Sequence, residues 1–135
     1  MGLFGTTASI LIDINLMLQY IILVLLVVGY VKRRQLKNHG YLMVVILLIS
    51  VATTLSIMAP KLLATYATYG PTVIAHMVGG IVAMLLSTFF TYRFVVALRN
   101  GNPLACGTKN LMRLAFLLWL IPLFGGTLMY IMLYV

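Results

Sequence analysis

Acidic side chains are almost absent from this chain of 135 residues, because Asp13 is its only aspartate or glutamate. Charged residues of both signs make up 7% of the sequence, whereas a typical soluble domain has about 25%. A chain with so little charge cannot cover its surface with polar groups in water. The composition therefore excludes an ordinary soluble domain, and the single carboxylate excludes hydrolysis by paired carboxylates.

Cysteine and histidine are scarce as well. The single Cys106 excludes an internal disulfide. The sequence has no Gly-rich phosphate loop after a strand and no nucleophile–base set, so we predict that the chain is not an enzyme on its own. The net charge of +8 would indicate nucleic acid in a soluble protein. Membrane proteins collect Lys and Arg in their cytoplasmic loops, and we predict no nucleic-acid partner here.

Hydrophobic residues are what the chain has in excess, at 64%. They form four runs, each long enough to cross a hydrocarbon core of about 30 Å as a helix. Lipid requires every backbone polar group to be paired within the span, which favours helices. The sequence predicts an all-α integral membrane four-helix bundle with short loops. We expect one domain over 1–135, in contact with the lipid bilayer, with spans at about 8–31, 39–64, 71–98 and 110–135.

The basic residues indicate the orientation of these spans. Lys61 is the only one of nine Lys and Arg residues predicted to lie away from the loop between spans one and two or the loop between spans three and four. The side with the other eight is expected to face the cytoplasm. The sequence thus predicts a multi-pass protein of the plasma membrane of a prokaryote, with both termini outside.

Polar residues of all four spans fall at one predicted depth, about 8 Å below the outer edge of the hydrocarbon by helix rise. This layer contains Asp13, Met58, Lys61, His76, Met129 and Tyr130. One interpretation is an Asp13–Lys61 ion pair with His76 hydrogen-bonded nearby. A second is a metal or haem site formed by His76 with Met58 or Met129, and a third is docking of Asp13 onto a partner subunit.

His39 lies near the opposite, cytoplasmic end of span two, about 25 Å from the depth of His76 by helix rise. Its simplest predicted role is at the lipid headgroups beside Lys37. Helical spacing also places it on a stripe about 60° wide, predicted to face the bundle. That stripe contains His39, Met43, Ser50, Thr54 and Lys61. Asn15 and Gln19 form a similar stripe on span one, where polar side chains join helices in lipid.

Two glycine pairs are level in the outer half, Gly79 with Gly80 on span three and Gly125 with Gly126 on span four. Small residues let helices approach closely, so spans three and four are expected to touch there. An alternative is that Gly79 and Gly80, one turn from His76, provide clearance for a macrocycle bound by that histidine.

The order of these features resembles the YozB/CtaM-like family of small membrane proteins, over most of the chain from about residue 11. The features are Gly29-Tyr30 before a basic loop, His39-Gly40-Tyr41-Leu42-Met43, His76, Trp119-Leu120 and Gly125-Gly126-Thr127-Leu128-Met129-Tyr130. The family is associated with haem-copper terminal oxidases, and a member supports oxidase maturation. His39 and His76 match its histidines. Two further histidines of the family are replaced here within Ser56-Ile57-Met58-Ala59-Pro60-Lys61 and Cys106-Gly107-Thr108-Lys109.

The resemblance implies a non-catalytic accessory subunit or maturation factor, acting with a larger copper- or haem-dependent membrane enzyme of a respiratory chain. With half of the family's histidines replaced, it favours a structural role without a cofactor. If haem b or copper is bound, the resemblance implies a His–Met set outside and a His–Cys set inside. The alternative function is a small b-type cytochrome-like electron carrier, and a transporter ranks last.

Overall fold

A computed structural model describes residues 2–65, 70–103 and 109–135; Cys106 lies outside them. These described residues form five α-helices and one π-helical turn, which make four spans long and apolar enough to cross a membrane. The predicted all-α four-helix bundle is confirmed. The elements are α1 (Ile10–Val31), α2 (Leu36–Thr53), the π turn (Thr54–Met58), α3 (Ala59–Thr65), α4 (Pro71–Arg99) and α5 (Lys109–Tyr134).

The second span starts earlier than the sequence predicts, at Leu36 instead of residue 39. The turn before it is short, because the N–H of Gln35 donates to the carbonyl of Lys32 at 2.9 Å and the N–H of His39 donates to the carbonyl of Gln35 at 2.9 Å. Backbone hydrogen bonding therefore resumes directly after the basic turn. The earlier start places His39 inside the first turns of α2 instead of at the edge of the span.

A π turn joins α2 to α3 just before Pro60. Proline has no N–H to donate and its ring collides with the carbonyl four residues back, which here belongs to Ser56. The N–H of Ala59 instead donates to the carbonyl of Thr54, five residues back. This wider turn lets the helix continue through Pro60 to the end of the span.

The four spans form a closed ring of neighbours, with contacts between α1 and α2, α2 and α4, α4 and α5, and α5 and α1. The main apolar core takes residues from every span: Ile22, Leu26, Ile46, Ala83, Trp119 and Leu123. A smaller cluster of Phe90, Phe94 and Ala115 lies on α4 and α5. In the second cluster the Phe94 ring packs directly over Gly40 of α2.

Residues 2–9 fold over one end of the bundle and contact the last turns of α5. Thr7 donates both its N–H and its hydroxyl to the carbonyl of Tyr134, at 3.3 and 3.1 Å. We call this the terminal end, because residues 2–9 and the end of α5 lie there. The opposite end, with the turn at Lys32–Gln35 and the start of α5, is called the basic end.

Candidate functional site

Asp13 is the centre of a hydrogen-bonded cluster at the terminal end. Its side chain is fully buried, with 0% exposure. The Tyr130 hydroxyl donates to one carboxylate oxygen and the Leu3 N–H donates to the other, both at 2.5 Å. Thr6 extends the cluster, since its hydroxyl lies 2.8 Å from the Tyr130 hydroxyl. The N-terminal segment and α5 thus enclose the only side-chain carboxylate of the chain.

These partners differ from the predicted Asp13–Lys61 ion pair. Lys61 is exposed, whereas Asp13 is sealed beneath residues 2–9 and its two oxygens accept from Leu3 and Tyr130. The sequence placed Tyr130 at the correct depth but gave no sign of Leu3 or Thr6. Their segment precedes the first helix and carries no periodicity from which contacts could be predicted.

The predicted polar layer surrounds a cavity of about 350 Å³, which we call the terminal cavity. Its wall brings together most of the residues singled out above: Asn15, Gln19, Met58, Lys61, His76, Gly80, Gly126, Met129 and Tyr130. Met77 and Met84 join them, so four thioethers and one imidazole line a single space. Asp13 is behind this wall and not part of it. The Asn15 amide oxygen is buried and has no hydrogen-bond partner among the described residues.

His76 packs against the glycine pair of α5. A Cβ on Gly126 would lie 3.1 Å from the imidazole Cε1, and a Cβ on Gly125 would lie 3.6 Å from Nδ1. The buried Nδ1 atom has no hydrogen-bond partner among the described residues. The imidazole therefore occupies the clearance that the second glycine pair provides.

The first glycine pair faces the inward side of Pro122. Cβ atoms on Gly79 and Gly80 would each lie 3.9 Å from the proline ring, and Ile121 is 3.8 Å from the first of them. Helix α5 thus packs against this glycine pair, and Gly80 also lines the terminal cavity beside His76. In this structure the glycines serve helix packing.

His39 lines a second cavity of about 430 Å³ toward the basic end, which we call the basic cavity. The imidazole is 7% exposed, and its Nδ1–H donates to the Gly29 carbonyl at 2.9 Å. This burial differs from the predicted role of His39, which places the imidazole at the membrane surface beside Lys37. His39 instead faces the interior of the bundle, as the inward stripe predicts, and so does Ser50 at 4% exposure.

Basic side chains surround the mouth of this cavity, and aromatic rings line its interior. The basic residues are Arg33, Arg34, Lys109 and Arg113, and the rings include Phe90, Phe116 and Trp119. Two buried polar atoms in the wall, His39 Nε2 and Thr91 Oγ1, have no partner among the described residues. Trp119 does have a partner, because its Nε1–H donates to the Ser87 hydroxyl at 2.6 Å.

The two histidines line different cavities, at opposite ends of the bundle. Within residues 2–65, 70–103 and 109–135, no group of three or more His, Cys, Asp or Glu side chains could hold a metal ion. The predicted inner His–Cys set lies partly outside these residues, at Cys106. The available donor sets are thus one imidazole with thioethers at the terminal end, and one imidazole with cations at the basic end.

The fold and its two cavities define a multi-pass membrane protein of the four-helix bundle class. Comparisons with family models, with curated proteins and with solved structures return no match to this chain. The resemblance to the YozB/CtaM-like family therefore stays a prediction.

Proposed function

We propose that the protein is a non-catalytic accessory subunit or maturation factor of a larger copper- or haem-dependent membrane enzyme in a respiratory chain. The observation that carries this proposal is the sealing of Asp13. Its carboxylate accepts two short hydrogen bonds inside the N-terminal cap and is shielded from both cavities. The only acidic side chain is thereby committed to structure, which supports a role in assembly and not in proton transfer.

Further support comes from the terminal cavity, where thioethers and one imidazole face a shared space. Methionine and histidine are soft and borderline ligands that suit copper. The cavity has few such ligands for independent redox chemistry. This set is more typical of a protein that contacts a metalloenzyme or supplies it with metal. The link to the respiratory chain depends on the family resemblance, with the basic end facing the cytoplasm.

Isolation of the tagged full chain from native membranes in a mild detergent tests this proposal. We expect a larger haem- or copper-containing enzyme to co-purify, and deletion of the gene to lower that enzyme's absorption bands in membranes. Complementation with His76→Leu should restore them less than complementation with Thr72→Ala, an exposed change one turn away on α4. Recovery of a free monomer, with unchanged membrane spectra after deletion, would contradict the proposal.

A second candidate function is a small b-type cytochrome-like or copper-carrying electron carrier. It is favoured by one observation, that Met58, His76 and Met129 line the same cavity. The packing of α5 against Gly79 and Gly80 supports copper over haem at this place.

An absorption spectrum and metal analysis on one purified preparation test this second candidate. A Soret band, or copper bound in a constant ratio, is expected to be lost in Met58→Leu and kept in Met17→Leu, which changes an exposed α1 residue. Absence of both signals after haem- and copper-replete expression rules the carrier out.

A further inference from the structure

The basic cavity contains four cations that the chain itself cannot neutralise. Arg33, Arg34, Lys109 and Arg113 line it, and the only acidic side chain of all 135 residues is sealed at the other end of the bundle. The Arg33 guanidinium donates to the Tyr30 carbonyl at 2.9 Å and lies over the Tyr30 ring, 4.3 Å from its centroid. Neither contact supplies a negative charge, so the counter-charge must come from another molecule.

The wall of the cavity also contains a polar group without a partner. The Gly29 carbonyl can only accept, so His39 carries its proton on Nδ1 and presents a lone pair at Nε2 when neutral. The imidazole is more than nine-tenths buried, and Nε2 has no partner among the described residues. Buried polar atoms in native proteins are almost always bonded to protein, water or ligand. A group that donates a hydrogen bond, such as a hydroxyl, would satisfy Nε2.

The interior of the cavity is apolar and reaches deep into the bundle. Trp119 lies ten residues along α5 from Lys109, about 15 Å by helix rise, and both residues line the same cavity. Leu26 and Phe90 line it as well. A ligand that fits this space has a negative head at the mouth and an apolar body inside.

We propose that the basic cavity binds an anionic phospholipid with a glycerol headgroup, such as phosphatidylglycerol. The phosphate lies among the four cations, a headgroup hydroxyl donates to His39 Nε2, and one acyl chain enters toward Trp119. Basic pockets between transmembrane helices on the cytoplasmic side recognise anionic headgroups in this way. This inference goes beyond the proposed function and does not depend on a partner enzyme.

Trp119 is a reporter built into the site, because it is the only tryptophan of the chain and is 7% exposed. The full chain is reconstituted in phosphatidylcholine vesicles containing a minority of phosphatidylglycerol, with brominated acyl chains on only one of the two lipids. Bromine quenches tryptophan on contact. Brominated phosphatidylglycerol is expected to quench Trp119 more strongly than brominated phosphatidylcholine at equal mole fraction. Equal quenching would overturn the proposal.

Matched charge variants separate the cavity from general attraction to a basic protein. Arg113→Gln removes a cation of the mouth, and the expected preference for phosphatidylglycerol falls about fivefold. Arg99→Gln removes a cation at the same end that does not line the cavity, and the preference should stay unchanged. An equal loss in both variants would mean that lipid merely accumulates around the bundle.

The hydroxyl contact has its own test. His39→Asn keeps an N–H near the position of Nδ1 for the Gly29 carbonyl but removes Nε2, so the fold is retained. The native chain should prefer phosphatidylglycerol over phosphatidylmethanol, which has the same charge and no headgroup hydroxyl. His39→Asn should lose that preference while still favouring both lipids over phosphatidylcholine. A preference that persists in His39→Asn contradicts the assignment.

Two other occupants would give distinct results. If the site takes a free anion, inorganic phosphate at matched ionic strength would abolish the lipid preference. If it takes haem, a Soret band would appear and Trp119 would be quenched without any brominated lipid. Either result overturns the phospholipid proposal, whereas co-purification with a metalloenzyme would be unaffected by all of these outcomes.

Discussion

Asp13 is a carboxylate removed from both water and lipid, and its stability depends on two donors. Charge-assisted O–H···O hydrogen bonds are short, and the Tyr130 contact at 2.5 Å is at the short limit. An ionised group left without such partners in an apolar interior would cost several kcal/mol. The carboxylate therefore makes residues 2–9 and α5 depend on each other.

Removal of this carboxylate is expected to destabilise the bundle. Asp13→Ala removes the acceptor of the Leu3 N–H and leaves the Tyr130 hydroxyl with Thr6 as its remaining partner. The loss of two hydrogen bonds to a carboxylate is expected to cost about 3 kcal/mol in total. Asn15→Ala is the control two residues along the same helix, because its amide oxygen has no partner to lose. Thermal unfolding of the purified variants in detergent measures both changes. Similar losses in the two variants would show that the cluster contributes nothing specific.

The sequence predicts the level of a residue along the bundle well, but it predicts poorly which neighbours the side chain contacts. Helix rise is fixed, so counting residues placed Met58, His76 and Tyr130 at one level, and they line one cavity. The same counting could not assign partners to Asp13. Depth alone predicts His39 at the membrane surface, whereas its helical stripe indicates that it faces the bundle, where the structure has it.

The contact between α2 and α4 depends on a glycine at the scale of the helix pair. A Cβ on Gly40 would overlap the ring of Phe94, which is 1% exposed and cannot easily move. Alanine is normally the better helix former by about 1 kcal/mol. The sign of the effect of an alanine here therefore reports whether the helices are in contact.

Gly40→Ala is expected to lower the free energy of unfolding by about 1–3 kcal/mol through overpacking. Gly125→Ala meets only an ordinary contact with His76 at 3.6 Å and should be much less disruptive. Adding Phe94→Leu to Gly40→Ala should recover part of the loss. The same unfolding assay applies, and a stabilising Gly40→Ala would mean that α2 and α4 are further apart than described.

The π turn is an element that the sequence pattern did not predict. Pro60 allowed a continuous span, but a π turn and a plain kink are both common responses to a proline in a helix. Within the turn the Thr54 hydroxyl lies 3.9 Å from the Met58 sulfur, and it lies 3.7 Å from the Met84 sulfur of α4. The contact with Met84 joins two spans and cannot be derived from spacing along one helix.

Pro60→Ala restores an N–H that can donate to the Ser56 carbonyl, so the π turn is expected to tighten into regular helix. Residues after the turn would then rotate by about 100°, which brings position 61 onto the inward face of the span, in line with Ser50 and Thr54. Lys61→Cys in a Cys106→Ser background should become less reactive toward a water-soluble thiol reagent when Pro60→Ala is added. Tyr41→Cys, on α2 before the turn, should be unaffected, and unchanged reactivity at both positions would contradict the role of Pro60.

At the scale of the whole molecule, composition and charge carried most of the prediction. Four long apolar runs leave few alternatives to a helical bundle in lipid. The closed ring places the N-terminal segment and the end of α5 together, as expected for an even number of spans. The two cavities were not foreseen, because their walls combine residues from all four spans.

The orientation in the membrane is open to a direct test. Gln35→Cys lies at the basic end and Val135→Cys lies at the terminal end, both exposed and both in a Cys106→Ser background. In intact cells an impermeant maleimide is expected to label Val135→Cys and to leave Gln35→Cys unlabelled until the membrane is opened. The reverse pattern would contradict the prediction that both termini face outward.

The hydrogen bonds around Tyr130 have a consequence for biogenesis. Its partners Thr6 and Asp13 lie 124 and 117 positions earlier in the chain. The first span is therefore synthesised long before Tyr130 is available to donate to Asp13. Helices α1 and α2 can pair early, whereas the seam between α1 and α5 closes only after the last span has been inserted. Until then Asp13 lacks the Tyr130 hydroxyl, and the side of α1 that later contacts α5 has no partner helix.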